Sequence, residues 1–136
     1  MDKRINYLVG IDTETCNGIL INDKLDLSQS LVYDIGWAIC DKKGRIYKTR
    51  SFIVREIFCD MSDVMTSAYY ANKIPRYWED IKNGTRSLAS FSRIRQILLE
   101  DMRTYNVKNV FAHNASFDVR ALNNTIRYLT KSNFRF

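Results

Sequence analysis

The sequence has one proline, one histidine, five glycines and three cysteines in 136 residues. Each scarcity excludes something. A single histidine, His113, excludes a multi-histidine metal site. Cys16, Cys40 and Cys59 are odd in number and widely spaced, with no C-x-x-C pair. That argues against structural zinc and a disulfide framework, and for a reduced, cytoplasmic protein. No apolar run approaches the roughly 20 residues of a membrane span, so no membrane partner is expected. Met1-Asp2-Lys3-Arg4 leads straight into an apolar run with no small-residue cleavage site, so no signal peptide is expected. Repeats, low-complexity tracts and linkers are also lacking, which leaves one domain over residues 1–136.

What is there reads as globular. Hydrophobic residues make up 46% and charged residues 26%, enough for a core of ordinary size. The net charge is +6 and it is unevenly placed. Residues 1–41 carry seven acids and three bases, and residues 42–136 carry eight acids and eighteen bases. A carboxylate-rich start on a basic body suits a protein that handles a polyanion, although many small basic proteins carry such charge for solubility alone.

Periodicity gives the elements. Ile5–Ile11 (INYLVGI) reads as a buried strand that ends at the polar Asp12-Thr13-Glu14-Thr15. Residues 17–30 read as a loop with a short strand near Ile19–Ile21. Leu31–Cys40 and Arg45–Val54 flank the turn Asp41-Lys42-Lys43-Gly44, so the first three long strands form an antiparallel meander. Residues 57–83 predict one or two short helices broken near Ile74-Pro75. Ser87–Tyr105 predicts an amphipathic helix with a stripe through Leu88, Phe91, Ile94, Leu98, Met102 and Tyr105. Asn106–Ala112 predicts a short buried strand, and Ser116 caps a last helix over Phe117–Tyr128. The order β-β-β-α-β-α makes the fold class α/β. The tryptophans, the tyrosines and the cysteines read as packing residues; Lys42-Lys43 and the arginines at 93, 95 and 103 read as solvated.

Two places could carry chemistry. Asp12 and Glu14 lie two apart near the end of the first strand, so alternation points both carboxylates one way. Paired carboxylates suit hard cations such as Mg²⁺ or Mn²⁺. The second place is His113-Asn114-Ala115-Ser116-Phe117-Asp118, after the fourth strand, with Asp118 in the first turn of the next helix. An acid there also complements the helix dipole, which is reason enough for it by itself. Three carboxylates converging at one sheet edge repel one another unless a cation binds.

These residues resemble a family. Gly10-Ile11-Asp12-Thr13-Glu14-Thr15 is similar to the first motif of the DnaQ-like (DEDD) 3′–5′ exonucleases, and Ala112-His113-Asn114-Ala115-Ser116-Phe117-Asp118 to their second, in the same order. The resemblance implies a ribonuclease-H-like mixed sheet with flanking helices, made of the antiparallel meander plus a further strand. It implies two-metal hydrolysis, with Mg²⁺ or Mn²⁺ held by Asp12, Glu14 and Asp118 as the catalytic set. The substrate would be the 3′ end of single-stranded DNA or RNA. Thr13 and Thr15 would flank the terminal nucleotide, and Asn114 would orient Asp118 or meet a phosphate. Phe117 would pack under the site, and His113 would serve structure beside it.

One element of the pattern is missing. The family's third motif brings a fourth acid on a later helix, yet no Asp or Glu follows Asp118. The expectation is a C-terminally truncated exonuclease domain whose activity the missing ligand impairs. The alternative is a non-catalytic nucleic-acid- or protein-binding module, an inhibitor or accessory subunit built on the same fold. In either case the open edge would favour a homo-oligomer or a partner protein.

Overall fold

Three long strands carry the sheet: β1 (Tyr7–Asn17), β4 (Ser30–Asp41) and β5 (Ile46–Val54). The computed structural model describes residues 2–17, 20–21, 24–25, 30–61, 65–66, 68 and 70–130. Antiparallel pairing joins β1 to β4 and β4 to β5. The alternation in LVYDIGWAIC sorts the two faces. Ile35, Trp37 and Ile39 are buried on one face, while Asp34, Gly36 and Ala38 stay partly open on the other. A tight turn joins β4 to β5, where Gly44 adopts φ +86 and the Asp41 carboxylate accepts the Lys43 and Arg45 N–H groups at 2.9 and 3.1 Å.

The first strand is longer than its apolar run. Asp12-Thr13-Glu14-Thr15 lies inside β1, because β4 runs alongside as far as Asn17 and pairs its backbone whatever the side chains. Asp12 sits opposite Gly36 and Glu14 opposite Asp34. Immediately beyond, the register shifts: Thr15 pairs with Val32, which leaves Tyr33 as the extra residue of a bulge.

Short strands complete the layer. β6 (Leu88–Ala89) runs parallel to the end of β5, and β7 (Asn109–Phe111) parallel to the start of β1, for the order β6-β5-β4-β1-β7. β2 (Leu20–Ile21) and β3 (Lys24–Leu25) form a separate two-stranded ladder. The expected strand near Ile19–Ile21 is thus seen at 20–21, Ile19 lying outside the described residues. Two expectations are corrected. Leu88 belongs to β6 and not to the following helix. β7 is not buried: it is an edge strand with Val110 49% and Phe111 51% exposed. The Phe111 ring lies over Gly10 of β1, where a Cβ would come 2.6 Å from Phe111 Cζ.

Helices flank the sheet, four of them α-helices that lie wholly among the described residues, giving an α/β architecture with a five-stranded mixed sheet. α1 (Arg55–Phe58) follows β5 directly. α2 (Ile74–Lys82) continues a 3₁₀ turn at Ala71–Lys73, and Pro75 sits in its first turn, so the proline starts the helix and does not break it. α3 (Phe91–Thr104) is capped by Ser90, whose Oγ accepts the Arg93 N–H at 3.2 Å, and it buries Phe91, Ile94, Leu98 and Asp101. Its end is a Schellman turn: the Asn106 N–H reaches Arg103 O, the Val107 N–H reaches Met102 O, and Asn106 takes φ 51. Asn106→Val should lower stability by about 1–2 kcal/mol, the cost of a left-handed branched residue, read as a lower denaturant midpoint at unchanged slope.

α4 (Ala115–Thr130) starts two residues earlier than Phe117, and Asn114 is the residue before it in place of Ser116. Its buried stripe is Asp118, Ala121, Leu122, Thr125 and Ile126. Thr125 Oγ1 accepts the Val32 N–H at 2.9 Å and donates to Ala121 O at 2.7 Å, which ties α4 to β4. Cys16 and Cys40 are buried and free, as packing residues would be, and burial pushes the Cys16 thiol up to about 12. Among the described residues no helix is long and apolar enough to cross a membrane.

Candidate active site

The pleat of β1 decides where the acids point. Asp12 and Glu14 share one face, with no register shift between them, and Thr13 faces the other way into the helices. Asp12 is exposed, Glu14 is half-buried, and neither side chain makes a hydrogen bond or ion pair with another described residue. Burial pushes the Glu14 carboxyl up from its ordinary range, and the charges of Asp12 and Asp34 push it further; Lys73 pulls it down and Asp118 adds a smaller push.

Asp34, directly across the ladder from Glu14, has partners. Its carboxylate accepts from Tyr77 Oη at 2.6 Å and from Arg86 Nη2 at 2.5 Å. Arg86 also lies over the Tyr77 ring, 5.3 Å from its centroid. This trio closes α2 over one end of the sheet face that carries Asp12 and Glu14. Little in the sequence announces it. Asp34 had a signal, as the lone charge in the run from Leu31 to Cys40; Tyr77 and Arg86 had none, being 43 and 52 residues away.

Asp118 reaches β1 from the other side. It is 7% exposed, on the buried stripe of α4, and accepts a short hydrogen bond from Thr13 Oγ1. Asn114 positions that first helical turn: its carbonyl accepts the Asp118 N–H at 3.0 Å, and its side-chain oxygen lies 3.5 Å from the Phe117 N–H it caps. Thr13→Val would leave the Asp118 carboxylate buried without its donor. The expected loss is roughly 1–3 kcal/mol, measured by urea unfolding, and Thr13→Ser should recover most of it.

The remaining expected residues are placed as follows. Thr15 is half-buried just past the bulge, and Phe117 is half-buried on α4. His113 is exposed and makes no hydrogen bond with another described residue; it lines, with Asp12, Gly36 and Phe111, a shallow depression of about 550 Å³ on the open face. The structure thus places Asp12 and Glu14 on one face of β1, with Asp34 across the ladder from Glu14, and Asp118 on the opposite face against Thr13. Among the described residues no three His, Cys, Asp or Glu groups are placed to hold a metal ion as they stand. The donor set itself is all carboxylate oxygen, the chemistry Mg²⁺ or Mn²⁺ prefers. Asp12 and Glu14 would hold such an ion first.

Glu14 gives a pH-dependent expectation. Its folded pKa lies above the ordinary 4.5, so ionising it costs the fold free energy. The penalty is absent below the unfolded pKa and complete above the folded one. Stability should therefore fall as pH rises from about 4.5 through the folded pKa, and Glu14→Gln should abolish that step in metal-free thermal melts across pH.

In comparison with known proteins, no family model matches the chain and no curated protein matches it.

Proposed function

We propose that the chain is a metal-dependent phosphodiesterase domain of the DnaQ-like 3′–5′ exonuclease kind, with a ribonuclease-H-like fold, acting on the 3′ end of single-stranded DNA or RNA. One observation carries the reading: Asp12 and Glu14 share one face of β1 with neither side chain bonded to a described residue, and Glu14, half-buried there, has its carboxyl pushed up by burial first and by Asp12 and Asp34 after it. Two neighbouring carboxylates left without partners, one of them half-buried at a cost in stability, suit a cation. The two sequence motifs supply the family, and the antiparallel β1-β4-β5 set with β7 parallel to β1 is compatible with its fold.

The chain's own part in the reaction follows from these positions. Asp12 and Glu14 present oxygen ligands on the open face, beside the depression where a terminal nucleotide would lie. Mg²⁺ or Mn²⁺ bound there would neutralise phosphate charge and acidify a water. Asp118, held by Thr13, supplies the third carboxylate from α4, and Asn114 sets the turn that carries it. Arg86 and Tyr77 neutralise Asp34, so it acts as an anchor for α2 and leaves Glu14 as the acid to be satisfied by a cation.

The test is incubation with 5′-labelled single-stranded DNA and RNA plus Mn²⁺, scored for stepwise shortening from the 3′ end and release of nucleoside 5′-monophosphates. The binding-module reading has an observation of its own, since Asp118 already spends its carboxylate on Thr13. It gains if wild type and Asp12→Asn both leave the strand intact while still shifting it on a gel.

A further inference from the structure

The end of the sheet opposite the carboxylates carries a second concave surface. Three segments meet there: the chain entering β1, the β4–β5 turn and the Schellman turn between α3 and β7. They enclose a depression of about 640 Å³ with Tyr7 and Tyr105 in its lining and Lys3, Lys42, Arg103 and Lys108 around it. A groove of about 480 Å³ adjoins it through Ile5, Asn6 and Lys42, and adds Lys43 and Arg45. From Tyr7 to Asp12 is five residues of strand, roughly 17 Å, so this surface is distinct from the acidic site.

The charges there are unbalanced for a stated reason. Two acids are near, and each is already engaged. Asp2 takes a two-point contact from Arg4, at 3.1 and 2.9 Å. Asp41 accepts the Tyr47 hydroxyl at 2.8 Å and two turn N–H groups. Lys3, Lys42, Lys43 and Lys108 form no ion pair with any described residue, and the Arg103 guanidinium meets, among the described residues, only the Leu99 carbonyl, at 3.4 Å. The aromatic wall is preset: Tyr7 packs edge-on against Tyr47 and Tyr105, each with centroids 5.0 Å apart. The Schellman turn fixes where Arg103 and Lys108 stand relative to one another. Several cations at spaced positions around a hollow with two tyrosines in its lining fit a run of phosphates better than one compact anion.

We infer that this basic end is a binding site for the phosphate backbone of a single nucleic-acid strand, separate from the carboxylate site. That the strand is nucleic acid rests on the hydrolytic reading above; that the surface takes anions does not. The surface holds a strand by its backbone and reads no sequence.

The experiment is fluorescence anisotropy with 5′-labelled oligothymidine and oligouridine and the full chain, in EDTA, across a salt series. Wild type should bind, with affinity falling steeply with salt. Replacing Lys3, Lys42, Arg103 and Lys108 by Gln together should weaken binding at least about tenfold and flatten the salt slope by about 3, at about 0.7 per phosphate lost. A control with the same charge removed elsewhere, at exposed Lys82, Arg93, Arg120 and Arg127, should bind within about twofold of wild type. Equal loss in both variants overturns the site, since net charge alone would then explain binding. So does wild type that fails to bind, or a mononucleotide that competes as well as the strand. Circular dichroism confirms that both variants are folded. Cleavage in Mn²⁺ by a protein that shows no binding in EDTA sinks the basic site and leaves the hydrolytic reading standing; binding through the site without cleavage does the reverse.

Discussion

Asp12→Asn should slow Mn²⁺-dependent shortening of a 5′-labelled strand by about 10⁴-fold, the scale on which losing one member of a catalytic unit acts. The melting temperature should not fall. The Asp12 side chain is exposed and bonds to no described residue, and Asn leaves its backbone pairing in β1 intact. Its charge is one of the forces pushing the Glu14 carboxyl up, so removing it relieves repulsion and should hold stability level or raise it slightly. This combination separates a ligand from a structural acid. Asp118→Asn, by contrast, should lose both activity and stability, because that carboxylate lies buried on α4 and takes the Thr13 hydroxyl. Unaltered cleavage by Asp12→Asn would remove the acids of β1 from the chemistry.

The largest loss of stability should come from Asp101→Ala. This carboxylate, 4% exposed on α3, accepts Trp37 Nε1–H at 2.9 Å and Arg50 at 3.0 and 3.2 Å, with Lys48 Nζ at 3.5 Å. Removing it leaves a buried indole N–H and two cations facing a void. Breaking a buried pair costs about 3–5 kcal/mol, and the partial exposure of Arg50 and Lys48 puts the expectation at the lower end, about 3. For a chain of this size that is a fall of about 12 °C in melting temperature. Burial alone would raise the Asp101 carboxyl, but the hydrogen bonds from Arg50 and Trp37 outweigh it and hold it below 3.8. Its contribution is therefore complete above 3.8 and is lost as pH falls through the lower folded value. Wild type should show that acid-side loss, and Asp101→Ala should not.

Side-chain alternation and helical spacing made the meander and the buried stripe Phe91, Ile94 and Leu98 of α3 legible, because both follow from which residues face a core. The shared face of Asp12 and Glu14 was legible for the same reason. The length of β1 was not: Asp12 to Asn17 is strand because β4 offers it backbone partners, and a polar run cannot announce that. β7 was misread as buried because NVF looks alike in the middle of a sheet and at its rim. Asp118 could have been placed on the buried stripe by counting back from Ala121 and Leu122. Its bond to Thr13 could not, with 105 residues between them, and neither could the hold of Tyr77 and Arg86 on Asp34.

The ring of Phe111 over Gly10 has a spectroscopic consequence. Protons pressed against an aromatic ring take on its ring current, so the Gly10 Hα resonances should be displaced far from their usual place. Phe111→Leu should return them to it. Gly10 lies two residues before Asp12 on the same side of β1. Paramagnetic Mn²⁺ held by Asp12 would broaden those same resonances, whereas diamagnetic Mg²⁺ would only move them. One glycine methylene thus reports both the seating of the edge strand and the arrival of a cation, without any label added to the protein.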